Sequence, residues 1–145
     1  MKTAIAYYSK HHGNTKKLLD AIANEKEVDL IDVTETEEAD LSGYDRIGFA
    51  SGIYYGSFAK QVLNFAKKNL PEGKPVFLIE TCGSPRKGYF DAIREIAEEK
   101  NCNVIGEFEA LGYDTYGPLK IVGGMKKGHP TKEEIEEAVR FYLGL

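Results

Sequence analysis

The sequence predicts an α/β fold: a doubly wound, five-stranded parallel sheet with helices on both faces. Two observations predict it. Apolar runs of strand length alternate with amphipathic runs of helical spacing along all 145 residues, and that alternation marks a parallel sheet wrapped by helices. Two of the runs, DRIGFASGI from Asp45 and KPVFLIET ending near Thr81, are almost continuously apolar, as strands buried on both faces are. The length suits a single domain covering residues 1–145.

Each element follows in order. The first strand is TAIAYY, Thr3–Tyr8. The first helix covers about Asn14–Asn24, with Leu18, Leu19, Ile22 and Ala23 on one face. The second strand is VDLIDV, residues 28–33, and the acidic TETEEADLSG after it offers at most one poor helical turn. The third strand runs from Asp45. The next helix is expected to begin at Ser57, a favoured N-cap residue, and to bury Phe58, Val62, Phe65 and Ala66. After the fourth strand comes a helix carrying Phe90, Ile93, Ile96 and Ala97, then a fifth strand from near Val104. The last helix opens on Thr131-Lys132-Glu133-Glu134, a capping-box pattern behind Pro130. It continues with Ile135, Ala138, Val139 and Tyr142 at helical spacing.

Composition narrows the function. The net charge is −4, against the basic footprint that nucleic acid demands. No apolar run reaches the ~20 residues that span a bilayer. The start, MKTAIAYYSK, is too short in apolar residues for a signal peptide and reads as a strand. Cys82 and Cys102 have neither disulfide-framework nor zinc-motif spacing. A cytoplasmic protein with free thiols, and without nucleic acid, membrane or metal partners, is expected.

In a wrapped parallel sheet, ligands sit beyond the carboxyl ends of the strands, at the switch point. Four segments lie there: SKHHGNT, SGIYYGSF, TCGSPRKGY and ALGYDTYGPLKIVGGMKKGHP. In the first, Gly13 permits a positive φ, and Ser9, Asn14 and Thr15 offer short polar groups ahead of a helix N-terminus. The GxxxxGK[ST] pattern is absent, so the loop fits one phosphate better than a triphosphate with magnesium. A solvated turn capped by Asn14 or Thr15 is the alternative. In the second, Tyr54 and Tyr55 between Gly52 and Gly56 are either packing residues or rings for stacking on a flat ligand. In the third, Gly83 and Ser84 expose amides, Tyr89 is a further ring, and Cys82 reads as packing rather than nucleophile. The fourth holds five glycines and is long for a connection. His11 and His12 lack a third ligand at metal spacing.

With these loops in place the chain resembles a flavodoxin. The strand-then-HHGNT turn is similar to that family's phosphate loop, and the YYG and CGS loops fall where the family holds its flavin. The resemblance covers the whole chain in element order and implies strand order 2-1-3-4-5. It implies FMN as cofactor, with Ser9, His11, His12, Gly13, Asn14 and Thr15 around the phosphate. Ser51, Gly52, Ile53, Tyr54, Tyr55 and Gly56 would meet the ring, with Gly52 or Gly56 as the hinge of a redox-linked peptide flip. Thr81, Cys82, Gly83 and Ser84 would face the pyrimidine edge and Tyr89 would cover a face. The implied function is low-potential electron transfer to redox partner proteins, with no catalytic residue of the chain's own. An FMN-dependent NAD(P)H or quinone oxidoreductase is the alternative.

The chain departs from the family pattern in three places. Histidines replace hydroxyl residues at 11 and 12, tryptophan is absent, and the third loop reads SPRK. Beside a phosphate dianion the histidines should favour the imidazolium form, so FMN affinity is expected to weaken at alkaline pH. Lys10, Lys60, Arg86, Lys87, Lys120, Lys126, Lys127 and His129 lie in or beside these loops. A neutral-to-basic rim is therefore expected, unless these side chains point into solvent, where screening weakens them.

Overall fold

The computed structural model describes residues 1–9, 13–84, 86–111 and 130–145. Its elements are β1 (Thr3–Tyr8), α1 (Asn14–Glu25), β2 (Val28–Asp32), β3 (Arg46–Tyr54), β4 (Ser57–Phe58), α2 (Lys60–Asn69), β5 (Pro75–Cys82), α3 (Asp91–Glu99), β6 (Asn103–Leu111) and α4 (Lys132–Leu143). The main sheet runs β2-β1-β3-β5-β6, every neighbouring pair parallel. This is the expected order, with one added piece: β4 pairs antiparallel with the end of β3.

Alternation along the strands divides the core into two layers. Ile5 and Tyr7 of β1 and Phe77 and Ile79 of β5 pack with Leu18, Leu19 and Ile22 of α1 and Ala138 and Tyr142 of α4. Ala6, Tyr8, Val76 and Leu78 point the other way, onto Val62, Phe65 and Ala66 of α2 and Ile93, Ile96 and Ala97 of α3. Gly48 of β3 stands opposite Phe77. A Cβ at Gly48 would come within 2.4 Å of the Phe77 ring, so the ring occupies the space that a side chain there would need.

No helix joins β2 to β3. Glu35 and Thr36 donate their N–H groups back to the Asp32 carbonyl, each at 3.1 Å, and Thr34 donates to the Asp32 carboxylate. The segment is nevertheless anchored. Leu41 and Val33 are buried in the α2–α3 layer, and Asn69 clamps the segment by accepting from the Ala39 amide and donating to the Glu37 carbonyl. An acidic run with few apolar residues cannot bury a helical face, and two apolar anchors hold it instead.

The helix expected at Ser57 starts later. Ser57 pairs with Tyr54 and Phe58 with Ile53 across a hairpin, and α2 begins at Lys60. Strand pairing takes Ser57 out of the capping role, and Ala59 at the N-cap has no side-chain cap. At α4 the capping box forms as its spacing predicts. Thr131 Oγ1 accepts from the Glu134 amide at 3.1 Å, and the Thr131 amide donates to Glu134 Oε1 at 3.0 Å. Thr131→Ala is expected to lower stability by about 1 kcal/mol, measured by urea unfolding.

Candidate functional site

Three described loops meet at the carboxyl edge of the sheet. In the first, β1 leads through Ser9, half-buried, to Gly13 at the N-cap of α1. Gly13 is left-handed, φ 62° and ψ 32°, and as a glycine offers the helix no side-chain cap of its own. The opening amides of a helix cannot bond within it. Here Lys17 N–H returns to the Gly13 carbonyl at 3.0 Å, and Lys16 N–H donates to Ser9 Oγ at 3.2 Å. No acid stands in the first turn, so nothing there opposes an anion at the positive end of the helix. Asn14 and Thr15 are buried. His11, His12 and Lys10 lie outside the described residues, as do Pro85 and residues 112–129. The expectations placed on His11, His12 and most of the fourth segment therefore fall there too.

The second loop is a tight hairpin. β3 and β4 are joined by Tyr55 and Gly56 alone, with φ 53° and 78°. Two positive φ values in a two-residue turn are the type I′ arrangement, which normally takes Asn-Gly. A bulky side chain in that region is uncommon and strained. The ring of Tyr55 is fully exposed. Tyr54, its neighbour, does the opposite. Its ring packs edge-on against Tyr8 with centroids 5.5 Å apart. The tyrosines that the sequence left as alternatives thus divide the two roles, one packed and one presented. Ile53 and Gly52 are half-buried. Ser51 is fully buried, accepts from the Ala59 amide at 2.9 Å and donates to the Gly52 carbonyl. Its hydroxyl shapes the hairpin base.

The third loop leaves β5 through Thr81, Cys82, Gly83 and Ser84. Thr81 and Thr15, both buried, share a hydrogen bond between hydroxyls 2.8 Å apart. That bond ties the third loop to the first turn of α1. Thr15→Val keeps the shape and removes the bond. It is expected to cost about 1 kcal/mol of stability, read by urea unfolding. Tyr89, half-buried, donates its hydroxyl to the Ser84 carbonyl at 2.8 Å and closes the loop. Arg86, Lys87, Tyr89 and Arg94 line a cleft beside it, and Arg86, Lys87 and Lys60 are exposed.

Behind this loop is a group that the sequence reading did not single out. Glu80 is fully buried on β5, in register with Glu109 of β6. Burial, then the Glu109 carboxyl beside it, pushes the Glu80 carboxyl up to about 9. Burial and the same two carboxyls push the Cys82 thiol well up. Cys82 is therefore a protonated thiol at neutral pH, which agrees with reading it as no nucleophile. The signal for Glu80 was available, since it is the sole charge within the buried run PVFLIETC.

A parallel sheet with an anion-receptive helix start, a presented aromatic ring and a glycine-bearing amide loop on one edge defines a nucleotide-type ligand-binding α/β protein. The comparisons give the family. A family model described as a flavodoxin domain matches residues 4–101, and the chain belongs to that family. An uncharacterized protein of Methanocaldococcus jannaschii, MJ0298, is 36% identical over 143 residues, 97% of this chain and 95% of that protein. Among solved structures, a flavodoxin from the domain Archaea superposes with TM-score 0.65 at 18% identity, covering 98% of this chain and 94% of that one. A flavoprotein from Lactobacillus acidophilus in complex with FMN gives TM-score 0.56 at 25% identity, covering 74% and 92%. No helix among the described residues is long and apolar enough to cross a membrane.

Proposed function

We propose that the chain binds FMN at this edge and works as an electron-transfer flavodoxin. The observation that carries the reading is Tyr55, a wholly exposed ring on a strained turn at the same sheet edge as the helix start. Nothing among the described residues rewards that exposure, and a flat ring stacked on it would.

The residues present fit the group. Gly13 leaves its surroundings open, since a Cβ there would meet none of the described residues within 4 Å, and the start of α1, with no acid in its first turn, suits a phosphate. Ser9, Asn14 and Thr15, with His11 and His12, would hold that phosphate. Tyr55 would lie against the isoalloxazine. The backbone from Thr81 to Ser84 would meet the pyrimidine edge, and Tyr89 holds that backbone through Ser84. Ser51, Gly52, Ile53, Tyr54 and Gly56 support the hairpin, and Gly56 at φ 78° gives the freedom a peptide rotation needs. When bound, the flavin supplies reversible one- and two-electron exchange. The chain positions it, excludes water from one face and leaves an edge open to partner proteins. The exposed Arg86, Lys87 and Lys60 support a neutral-to-basic docking rim.

The absorption spectrum of the purified protein, with FMN identified after denaturation, tests the cofactor. A colourless chain showing neither fluorescence quenching nor thermal stabilisation with added FMN overturns it. Anaerobic addition of NAD(P)H to the loaded protein then tests the carrier role. Slow or absent bleaching is the expected result, and rapid bleaching would make the protein a reductase on the same fold.

A further inference from the structure

Residues 80 and 82 of β5 project to one side of the sheet, as alternate strand residues do. Glu109 of β6 is in register with Glu80. One carboxylate oxygen of Glu80, one of Glu109 and Cys82 Sγ consequently all lie within 4.8 Å of one another. Glu80 is 0% exposed and Cys82 6%, while Glu109 opens to solvent. Neither oxygen of Glu80 has a hydrogen-bond partner among the described residues. Nor does any ion pair reach the trio among those residues. Arg94, the guanidinium that α3 presents to β6, is engaged by Glu107 and Asp91.

We propose that Glu80, Cys82 and Glu109 form a binding site for a borderline divalent cation of the zinc type. On binding, the cation displaces the Glu80 and Cys82 protons to solvent, so that two carboxylate oxygens and one thiolate are the protein donors and water takes the fourth position.

The donor set selects the cation. Thiolate with carboxylates suits zinc, whereas magnesium and calcium require six or more oxygens. Tetrahedral zinc with bonds of about 2.0–2.3 Å sets its donors ~3.5 Å apart, within a side-chain rotation of the observed spacing. The two buried donors shield the site, and exposed Glu109 gives the entry path that a metal site needs. A proton shared by the two glutamates would account for the buried acid. It would not account for a thiol brought to the same point. Spacing along the sequence hides the site, because the third donor stands on another strand and no cysteine or histidine motif marks it.

The test uses the full chain after chelator treatment, dialysed against Zn²⁺, and requires no flavin. Its outcome is therefore separate from that of the FMN reading. One equivalent of zinc per chain is expected. Co²⁺ in its place should give a thiolate charge-transfer band in the near ultraviolet. Cys82→Ser should abolish the band, Glu109→Gln should weaken binding about tenfold or more, and Cys102→Ser should change neither. Glu109 is exposed, so its variant reports even if substitutions at the buried positions fail to fold. Absence of stoichiometric zinc overturns the proposal and leaves a proton-sharing pair. Binding undiminished by Cys82→Ser or Glu109→Gln also overturns it.

Discussion

Glu80→Gln, measured in the presence of a chelator, is expected to remove most of the decline in stability between pH 5 and pH 8. The sign follows from the proton count. In the unfolded chain the carboxyl titrates at its ordinary value of 4.5, and in the fold it holds its proton to about 9. Below 4.5 both states are protonated and the fold has its full stability. Between the two values the unfolded chain binds fewer protons, so stability falls as pH rises, by at most about 1.4 kcal/mol per pH unit. Over three units the ceiling is about 4 kcal/mol, or on the order of ten degrees in Tm for a chain of this size. Glutamine is neutral throughout and has no such slope. Thermal melts of both proteins at pH 5, 6, 7 and 8 should therefore diverge, with the variant gaining on the parent as pH rises. Parallel curves would mean that Glu80 is ionised in the folded chain.

Tyr55→Ala should weaken FMN binding about 10- to 100-fold, the range expected when one stacked aromatic contact of about 1–3 kcal/mol is lost. Tyr55→Phe should bind like the parent. The same alanine change should leave unfolding of the flavin-free chain unaltered, because the ring is fully exposed. This separation of affinity from stability is what distinguishes a presented ring from a packing residue. Tyr54, edge-on to Tyr8, should show the reverse, losing stability on truncation. Fluorescence titration with FMN and urea unfolding measure the two quantities. Unchanged affinity in Tyr55→Ala would assign the ring to some other contact.

The sequence carried the fold well where burial is periodic. β1, β3 and β5 were legible as apolar runs, α1, α3 and α4 as apolar faces, and Thr131 with Glu134 as a capping box. It failed where two-residue features decide. β4 is only Ser57 and Phe58, too short for any period, and Ser57 reads equally as a cap. Tyr54 and Tyr55 are adjacent and chemically identical, and only the turn between β3 and β4 tells them apart. Loop placement at the sheet edge followed from topology, so Gly13, Thr15, Thr81 and Tyr89 could be placed at that edge from the sequence. The bond between Thr15 and Thr81 could not be read there, because it joins residues 66 apart. The meeting of Glu80 with Glu109 escaped likewise, because it joins two strands.

The irregularity in β6 has a reach beyond its size. Pairing passes from Val76 with Val104 directly to Phe77 with Gly106, leaving Ile105 unmatched and partly in solvent. From that point on, odd and even residues of the strand exchange sides. Glu107 and Glu109 consequently turn toward α3, while Phe108 joins the layer under α4. Were Ile105 instead to pair with Phe77 in regular register, Phe108 would stand opposite Glu80 and both acids would turn to the other side of the sheet. The bulge at Ile105 thus decides whether the buried acid has a chemical neighbour at all. A chain that paired this residue in step would keep its fold and lose that whole acidic corner.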